Sequence, residues 1–119
     1  MKVAISSFGP TLESEVDPRF GRSACFIVVD SETRAFQVVQ NDMDLTQGAG
    51  VQAARTVIAS GAQVLLTRNC GPNAHRTLSA GHVAVYTHAT GTVAQALEAY
   101  LKGQLEQSQG PNVESHTGV

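Results

Sequence analysis

Hydrophobic residues fall into short β-branched runs and longer runs with helical spacing. The early part of the chain contains three runs typical of strands: KVAIS (2–6), CFIVVD (25–30) and RAFQVVQ (34–40). Only the polar SET separates the second run from the third, which predicts a β-hairpin. Two later strands are predicted at QVLLT (63–67), which is apolar without alternation as in a strand covered on both faces, and at HVAVY (82–86).

Three other segments have the apolar spacing of amphipathic helices. They are GVQAARTVIASGA (50–62), GPNAHRTLSAG (71–81) and TVAQALEAYLKG (92–103). The second has Pro72 in its first turn and Gly81 past its end, the usual asymmetry of a helix. The third opens with Thr92 and, three residues later, Gln95, which predicts a capping box.

The resulting order is strand, strand, strand, helix, strand, helix, strand, helix. A hairpin followed by right-handed crossovers predicts a mixed sheet of five strands in a three-layer α/β domain, with helices on both faces. From residue 104 the chain is polar and aperiodic. We therefore expect a single domain over residues 1–103 and a polar surface tail over residues 104–119.

Composition narrows the class of protein. A chain of 119 residues with 42% hydrophobic content supports one core. It has no apolar run long enough for a membrane helix and no secretory signal, so we expect a cytoplasmic protein without a membrane partner. A net charge of -2 gives no basic footprint for nucleic acid. The two cysteines permit one disulfide, although a reducing compartment argues against it.

Candidate chemistry collects where the parallel strands end. In an open α/β sheet these ends share one edge, where ligands bind. We call this edge the rim; it is predicted to carry SSFGP (6–10), TRNCGPN (67–73) and THATG (87–91). Helix N-termini at Gly71–Pro72, at Thr92 and after the glycine-rich connection NDMDLTQGAG (41–50) would present N–H groups there, and Arg68 adds positive charge. These features predict an anion pocket.

The rim also holds two candidate metal ligands, Cys70 and His88. Cys70 precedes a helix start, so we expect a lowered thiol pKa and faster reaction than at Cys25. Equally, Cys70 is compatible with a small buried hydrophobic role, because no C-x-x-C or H-x-x-x-H spacing supports a local metal site. Asp17 and Asp30 lie beside turns, where solvated or capping roles are expected.

Enzyme motifs are missing from the sequence. It contains no Walker-type loop, no G-x-G-x-x-G after the first strand and no G-x-S-x-G elbow. Acidic residues are absent from the first, fourth and fifth predicted strands, which leaves too few carboxylates for a two-metal nuclease clamp. These observations predict a binding protein rather than an enzyme.

Several blocks together resemble the dinitrogenase iron–molybdenum-cofactor binding and biosynthesis family. They are DPRFGRSACFIVVD (17–30), GAGVQAA (48–54), GPNAHRTL (71–78), TVAQALEAYLKGQL (92–105) and PNVESH (111–116). The resemblance implies a ribonuclease H-like fold with the first strand central, the hairpin on one side and the crossover strands on the other. It also implies binding of a preformed, anionic metal–sulfur cofactor without turnover of a substrate.

Carried onto this sequence, the resemblance and the rim together give ten candidate cofactor-binding residues: Arg19, Phe20, Gly21, Arg22, Gly48, Gly50, Arg68, Asn69, Gly71 and Asn73. Cofactor-carrying members have a histidine where this chain has Arg19. Relatives commonly have Gly-Asn-Ile where it has Arg68 to Cys70. Both differences favour a soft anion, so the chain looks similar to a branch that holds a molybdenum–copper sulfide cluster rather than to carriers of iron–molybdenum cofactor.

The expected function is thus a carrier or scaffold for an inorganic metal–sulfide cluster, with client proteins as further partners. An alternative is an interaction adaptor that binds a partner protein or a phosphate-bearing small molecule at the same rim. A third reading is an enzyme.

Overall fold

A five-stranded mixed sheet forms the centre of the structure, a computed structural model that describes residues 1–41 and 48–110. Its strands are β1 (Lys2–Ser7), β2 (Cys25–Asp30), β3 (Phe36–Gln40), β4 (Val64–Leu66) and β5 (Ala84–Tyr86), in the order β3-β2-β1-β4-β5. The β1–β2–β3 side is antiparallel, and β1, β4 and β5 are parallel. The predicted mixed sheet with a central first strand is confirmed.

Three helices cover the sheet. They are α1 (Ala49–Ala59), α2 (Pro72–Ala80) and α3 (Val93–Leu101), and a short 3-10 turn spans Phe20–Arg22. Helices α1 and α2 share one apolar cluster with one face of the sheet, whereas α3 shares a second cluster with the other face. The three-layer arrangement with helices on both faces is therefore confirmed. Residues 42–47 of the predicted glycine-rich connection, and residues 111–119 of the predicted tail, lie outside the described residues.

The strands alternate between the two clusters. On β2, Phe26 and Val28 face α1 and α2, while Ile27 and Val29 face α3. All four are at most 3% exposed, because a central strand has both faces covered. Because β2 is packed on both faces, it helps to hold in place the sheet whose strand ends form the rim.

Two strands begin later than predicted because left-handed residues interrupt them. Arg34 has φ 66° and His82 has φ 63°, conformations that a strand cannot continue through. Consequently β3 begins at Phe36 instead of residue 34, and β5 begins at Ala84 instead of residue 82.

The segment after α3 returns to the sheet. Leu105 packs against the α3-side cluster, Gln107 forms an antiparallel bridge with Tyr86, and the Ser108 N–H donates to Val85 O at 2.8 Å. The start of the predicted polar tail thus lies along the edge of β5. In residues 1–41 and 48–110, no helix combines the length and apolar character needed to cross a bilayer.

Candidate functional site

Buried hydroxyls join the strand ends at the rim. Ser6 Oγ and Thr67 Oγ1, at the ends of β1 and β4, are 2.9 Å apart. Ser6 Oγ also donates to the Asp17 carbonyl at 2.8 Å. Both hydroxyl residues are fully buried. They tie the loop that carries the Asp-Pro-Arg segment directly to the sheet.

The loops after β4 and β5 lie beside that segment. Arg19 forms a parallel backbone bridge with Asn69, and Asn69 Nδ2 donates to Pro18 O at 3.2 Å. The His88 N–H donates to Arg68 O at 3.1 Å. Residues far apart in sequence are therefore brought to one edge of the sheet, as the strand order predicted.

Glycines let the N-terminus of α1 approach both the 3-10 turn and the first turn of α2. A Cβ on Gly21 would lie 2.9 Å from Gly50 N and 3.1 Å from Gly50 Cα. A Cβ on Gly50 would lie 3.3 Å from Ala74 Cβ, in the first turn of α2. These distances leave no room for a side chain at Gly21. The two helix starts and the 3-10 turn consequently form one surface at the rim.

The N-cap residues of α1 and α2 are Gly48 and Gly71, and neither glycine supplies a side-chain cap to its own helix. The first N–H groups of a helix have no partner within the helix, and together they carry partial positive charge. Two such helix starts beside one another form a donor surface for an anion.

The expectation that the helix beginning after Thr92 offers N–H groups at the rim is wrong. The N–H groups of Val93 and Ala94 donate to the carbonyls of Ser14 and Leu12 at 2.8 and 2.9 Å. The Thr92–Gln95 capping box, which is confirmed, occupies the Gln95 N–H. Because the 12–14 loop and the capping box take these donors, α3 has none to offer at the rim.

Three arginines place cationic groups near these helix starts. Arg19, Arg22 and Arg68 are all exposed. Arg19 lies against Asp17, with Nε 3.2 Å from Asp17 Oδ1, and its guanidinium carbon is 5.8 Å from the centre of the Phe8 ring. Guanidinium groups are weakly hydrated donors that suit large polarisable anions.

Asp17 was expected to be solvated or to cap a turn. Its side chain does cap, because Oδ1 accepts from the Arg19 N–H at 2.9 Å, but it is fully buried. Sequence reasoning missed this role at the site. The available signal was the Asp-Pro-Arg spacing, which places a carboxylate two residues before a backbone donor, as in an Asx turn.

The remaining candidate residues differ in their access to ligand. Gly21, Gly50, Asn69 and Gly71 are half-buried, and Gly48, Asn73 and His88 are exposed. Phe20 is 3% exposed and packs on Phe26 with ring centres 5.4 Å apart. Phe20 therefore packs beneath the rim.

Cys70 is likewise beneath the surface, and the expectation of a lowered thiol pKa is wrong. Only 1% of the residue is exposed, and burial raises the pKa of its thiol from 9.0 to about 11. Desolvation of a thiolate outweighs the attraction of the helix start. Burial also raises the pKa of Cys25, so both thiols are protonated at neutral pH.

His88 is the more accessible of the two candidate metal ligands. It is exposed, has φ 69°, and its Nδ1 lies 3.1 Å from Thr87 Oγ1. Within the described ranges, no three His, Cys, Asp or Glu side chains are arranged to hold a metal ion. The described donors at the rim are N–H groups and guanidiniums, which match the chemistry of an anion.

A family model named for the dinitrogenase iron–molybdenum cofactor matches residues 1–103. The chain belongs to this family. The match covers every strand and helix of the sheet domain, including all the candidate residues at the rim. The resemblance inferred from the sequence blocks is thus confirmed.

Solved structures agree with this assignment. The chain is similar to the apo form of the orange protein from Desulfovibrio gigas, with 43% identity over 94% of this chain and 96% of that one, and a TM-score of 0.90. It is also similar to a NifB-like protein of the DUF35 family from Thermotoga, with 38% identity, coverage of 89% and 91%, and a TM-score of 0.77. A dinitrogenase-like protein from Methanocaldococcus jannaschii shares the fold at 18% identity, with coverage of 93% and 97% and a TM-score of 0.71. Among curated proteins, no match was found.

Proposed function

We propose that this protein binds and carries an anionic molybdenum-containing metal–sulfide cluster at the rim, as cargo and without turnover. The family is named for a molybdenum cofactor, and the orange protein is described as an apo form, the term for a protein without its bound group. These names belong to relatives. What supports the proposal in this chain is its own set of donors.

The observation that carries the proposal is the convergence of two helix N-termini, both with glycine as the N-cap residue, with exposed arginines. Gly21 packs on Gly50, which brings the start of α1 against the 3-10 turn, and Gly50 in turn contacts Ala74 in α2. Sulfide ligands on the outside of a cluster are polarisable acceptors. Backbone N–H groups and guanidiniums donate to such acceptors without a covalent bond.

The state of Cys70 fits a cluster that arrives with its own sulfide ligands. A buried thiol with a pKa of about 11 is protonated at neutral pH, whereas metal binding requires thiolate. A preformed cluster needs no thiolate from the protein. Any direct bond to copper at the rim therefore falls to the exposed imidazole of His88, which is a borderline ligand.

We favour a molybdenum–copper sulfide cluster over iron–molybdenum cofactor. The family resemblance implies a histidine in cofactor-carrying members where this chain has Arg19, and a guanidinium donates hydrogen bonds but does not ligate metal. The exchange replaces a potential metal ligand with a donor for an anion. A sulfide-rich anion is the cargo that such an exchange suits.

Reconstitution tests this proposal. Metal-free protein is mixed with tetrathiomolybdate and cuprous ion and passed over a gel-filtration column, and the protein peak is analysed for visible absorbance, molybdenum and copper. We expect a chromophore that elutes with the protein. The amount of bound cluster should fall as the salt concentration rises, because exposed charges contribute to binding. A colourless protein peak without molybdenum at all metal ratios would contradict the proposal.

A matched pair of variants locates the cargo. Arg19→Gln/Arg22→Gln removes two positive charges at the rim, and Arg34→Gln/Lys102→Gln removes two charges at the hairpin and at the end of α3, away from the rim. Both variants have the same net charge. We expect the first to lose most of its cargo and the second to retain it; equal losses would indicate non-specific attraction to the whole molecule.

A further inference from the structure

Asp17 holds the Arg19 guanidinium along one side only. Arg19 Nε lies 3.2 Å from Asp17 Oδ1, and Arg19 Nη2 lies 3.3 Å from Asp17 Oδ2. A guanidinium has five N–H donors, and this side-on pairing uses two of them. Within residues 1–41 and 48–110, no acceptor is recorded for the other three. The end of the guanidinium that carries both Nη atoms therefore retains a two-pronged donor.

The carboxylate that sets this orientation is itself fixed to the sheet. Asp17 is fully buried, its N–H donates to Ser6 O at 3.0 Å, and its carbonyl accepts from Ser6 Oγ at 2.8 Å. The Arg19 side chain, by contrast, is 59% exposed. A buried anchor and an exposed donor in one ion pair convert a flexible side chain into a group with a defined direction.

Phe8 supports the guanidinium from a second direction. The Arg19 guanidinium carbon lies 5.8 Å from the centre of the Phe8 ring, within the range of a cation–π contact. Phe8 is 50% exposed, so both the ring and the guanidinium lie at the surface. The Phe8 N–H donates to Glu15 O at 3.0 Å, so the backbone that carries the ring is held as well.

We infer that Asp17 and Phe8 are positioning residues that orient Arg19 as a two-pronged donor for two neighbouring sulfur atoms of a tetrahedral thiometallate unit. This inference rests on the proposed function and names the part of the cargo that Arg19 contacts. Neither Asp17 nor Phe8 touches the cargo in this account. They act through Arg19.

The pairing with Asp17 also sets what Arg19 recognises. A buried carboxylate offsets most of the guanidinium charge, so Arg19 contributes less as a free charge than as a directed pair of hydrogen bonds. Arg19→Lys would retain the charge, but the lysine ammonium lacks the planar pair of parallel N–H donors that a guanidinium presents. Recognition through Arg19 therefore depends on the shape of the anion.

Direct titration with tetrathiomolybdate alone, followed by absorbance, separates orientation from charge. Arg19→Lys should raise the dissociation constant about tenfold, the equivalent of one charge-assisted hydrogen bond. The dependence of binding on salt should stay as in the unmodified protein, because the net charge is unchanged. Arg34→Lys is the matched control, because Arg34 lies at the hairpin and pairs with Glu98 at 2.8 Å. This variant should bind tetrathiomolybdate as tightly as the unmodified chain.

A double-variant cycle tests the role of Asp17. Asp17→Asn keeps the shape of the side chain but removes the ion pair, and it should weaken binding about as much as Arg19→Lys. The combined Asp17→Asn/Arg19→Lys variant should be no weaker than Arg19→Lys alone, because both changes remove the same oriented donor. If the increases in dissociation constant of the two single variants multiplied in the combined variant, the inference would be overturned, because Asp17 would then act independently of Arg19.

Phe8 provides a second cycle that does not depend on a buried residue. If Asp17→Asn fails to fold, as judged by circular dichroism, Phe8→Ala is combined with Arg19→Lys in its place. Phe8→Ala should weaken binding about two- to fivefold in the unmodified chain, as expected for loss of one exposed cation–π contact, and have little effect in Arg19→Lys. An equal loss in both backgrounds overturns the inference. If the unmodified chain binds no tetrathiomolybdate alone, this inference is overturned, whereas the proposed function is contradicted only if reconstitution with copper also gives a colourless protein peak.

Discussion

Replacing Gly21 with alanine tests the close contact between the 3-10 turn and α1. A Cβ at this position would lie 2.9 Å from Gly50 N and 3.1 Å from Ala49 C, whereas ordinary contact begins at 3.4 Å. The two backbones would therefore have to separate by about 0.5 Å, the difference between 3.4 and 2.9 Å. Since both nearest neighbours are backbone atoms, no side chain can rotate to make room.

The expected cost in unfolding free energy is about 1–3 kcal/mol, typical of an extra methyl group in a packed site. For a domain of this size that loss lowers the melting temperature by about 4–12 °C. Gly21→Ala should also weaken cluster binding about three- to tenfold, because the separation moves the donors of α1 away from those of the 3-10 turn.

Thermal denaturation followed by circular dichroism, together with cluster titration, measures both effects. Gly110→Ala is the matched control, because a Cβ there meets no atom of residues 1–41 and 48–110 within 4 Å. If Gly21→Ala matched Gly110→Ala in stability and in cluster binding, the close approach would have no consequence and the site geometry argued from it would be refuted.

Two further predictions concern Cys70 and Thr92. At pH 8 the Cys70 thiol should react with a thiol reagent about a hundredfold more slowly than an unperturbed cysteine, because its pKa is about 11 instead of 9.0. Labelling followed by peptide mass spectrometry measures this rate, and fast labelling of Cys70 in the folded chain would contradict the prediction. Since the folded state holds this proton more tightly, its stabilising effect is complete below about pH 9 and is lost as pH rises towards 11. Unfolding free energy should therefore fall more steeply across that range than in Cys70→Ala, and equal slopes would argue against a buried thiol. Thr92→Ala should lower the unfolding free energy by about 1 kcal/mol by removing the capping box. It should leave cluster binding unchanged because α3 offers no donors at the rim, and weaker binding in a folded variant would show that α3 does take part.

The elements and their order followed from local patterns in the sequence. Phe26 and Val28 alternate with Ile27 and Val29 between the two clusters, which is the period of a buried strand. The capping box at Thr92 was readable because both partners lie within four residues. Such features depend on neighbours in the chain, so sequence predicts them well.

The site depended on contacts between distant segments, and there sequence reasoning failed in part. The donors of α3 are taken by the carbonyls of Leu12 and Ser14, some eighty residues earlier, which no local pattern reveals. The pKa of Cys70 depends on how deeply tertiary packing buries it, and that burial reversed the expected effect of the helix start. The burial of Asp17 likewise accompanies contacts between separate segments, since its carbonyl accepts from Ser6 Oγ, eleven residues earlier.

Amide chemical shifts of the cluster-loaded protein test the central claim most directly. In a nitrogen–proton correlation spectrum recorded before and after loading with tetrathiomolybdate and copper, we expect the largest shifts at the N–H groups of residues 49–51 and 73–74, where α1 and α2 begin. The N–H groups of residues 93–95 should stay in place, because they are bonded to the 12–14 loop and the capping box. Large shifts at the start of α3, with the starts of α1 and α2 unchanged, would contradict the account.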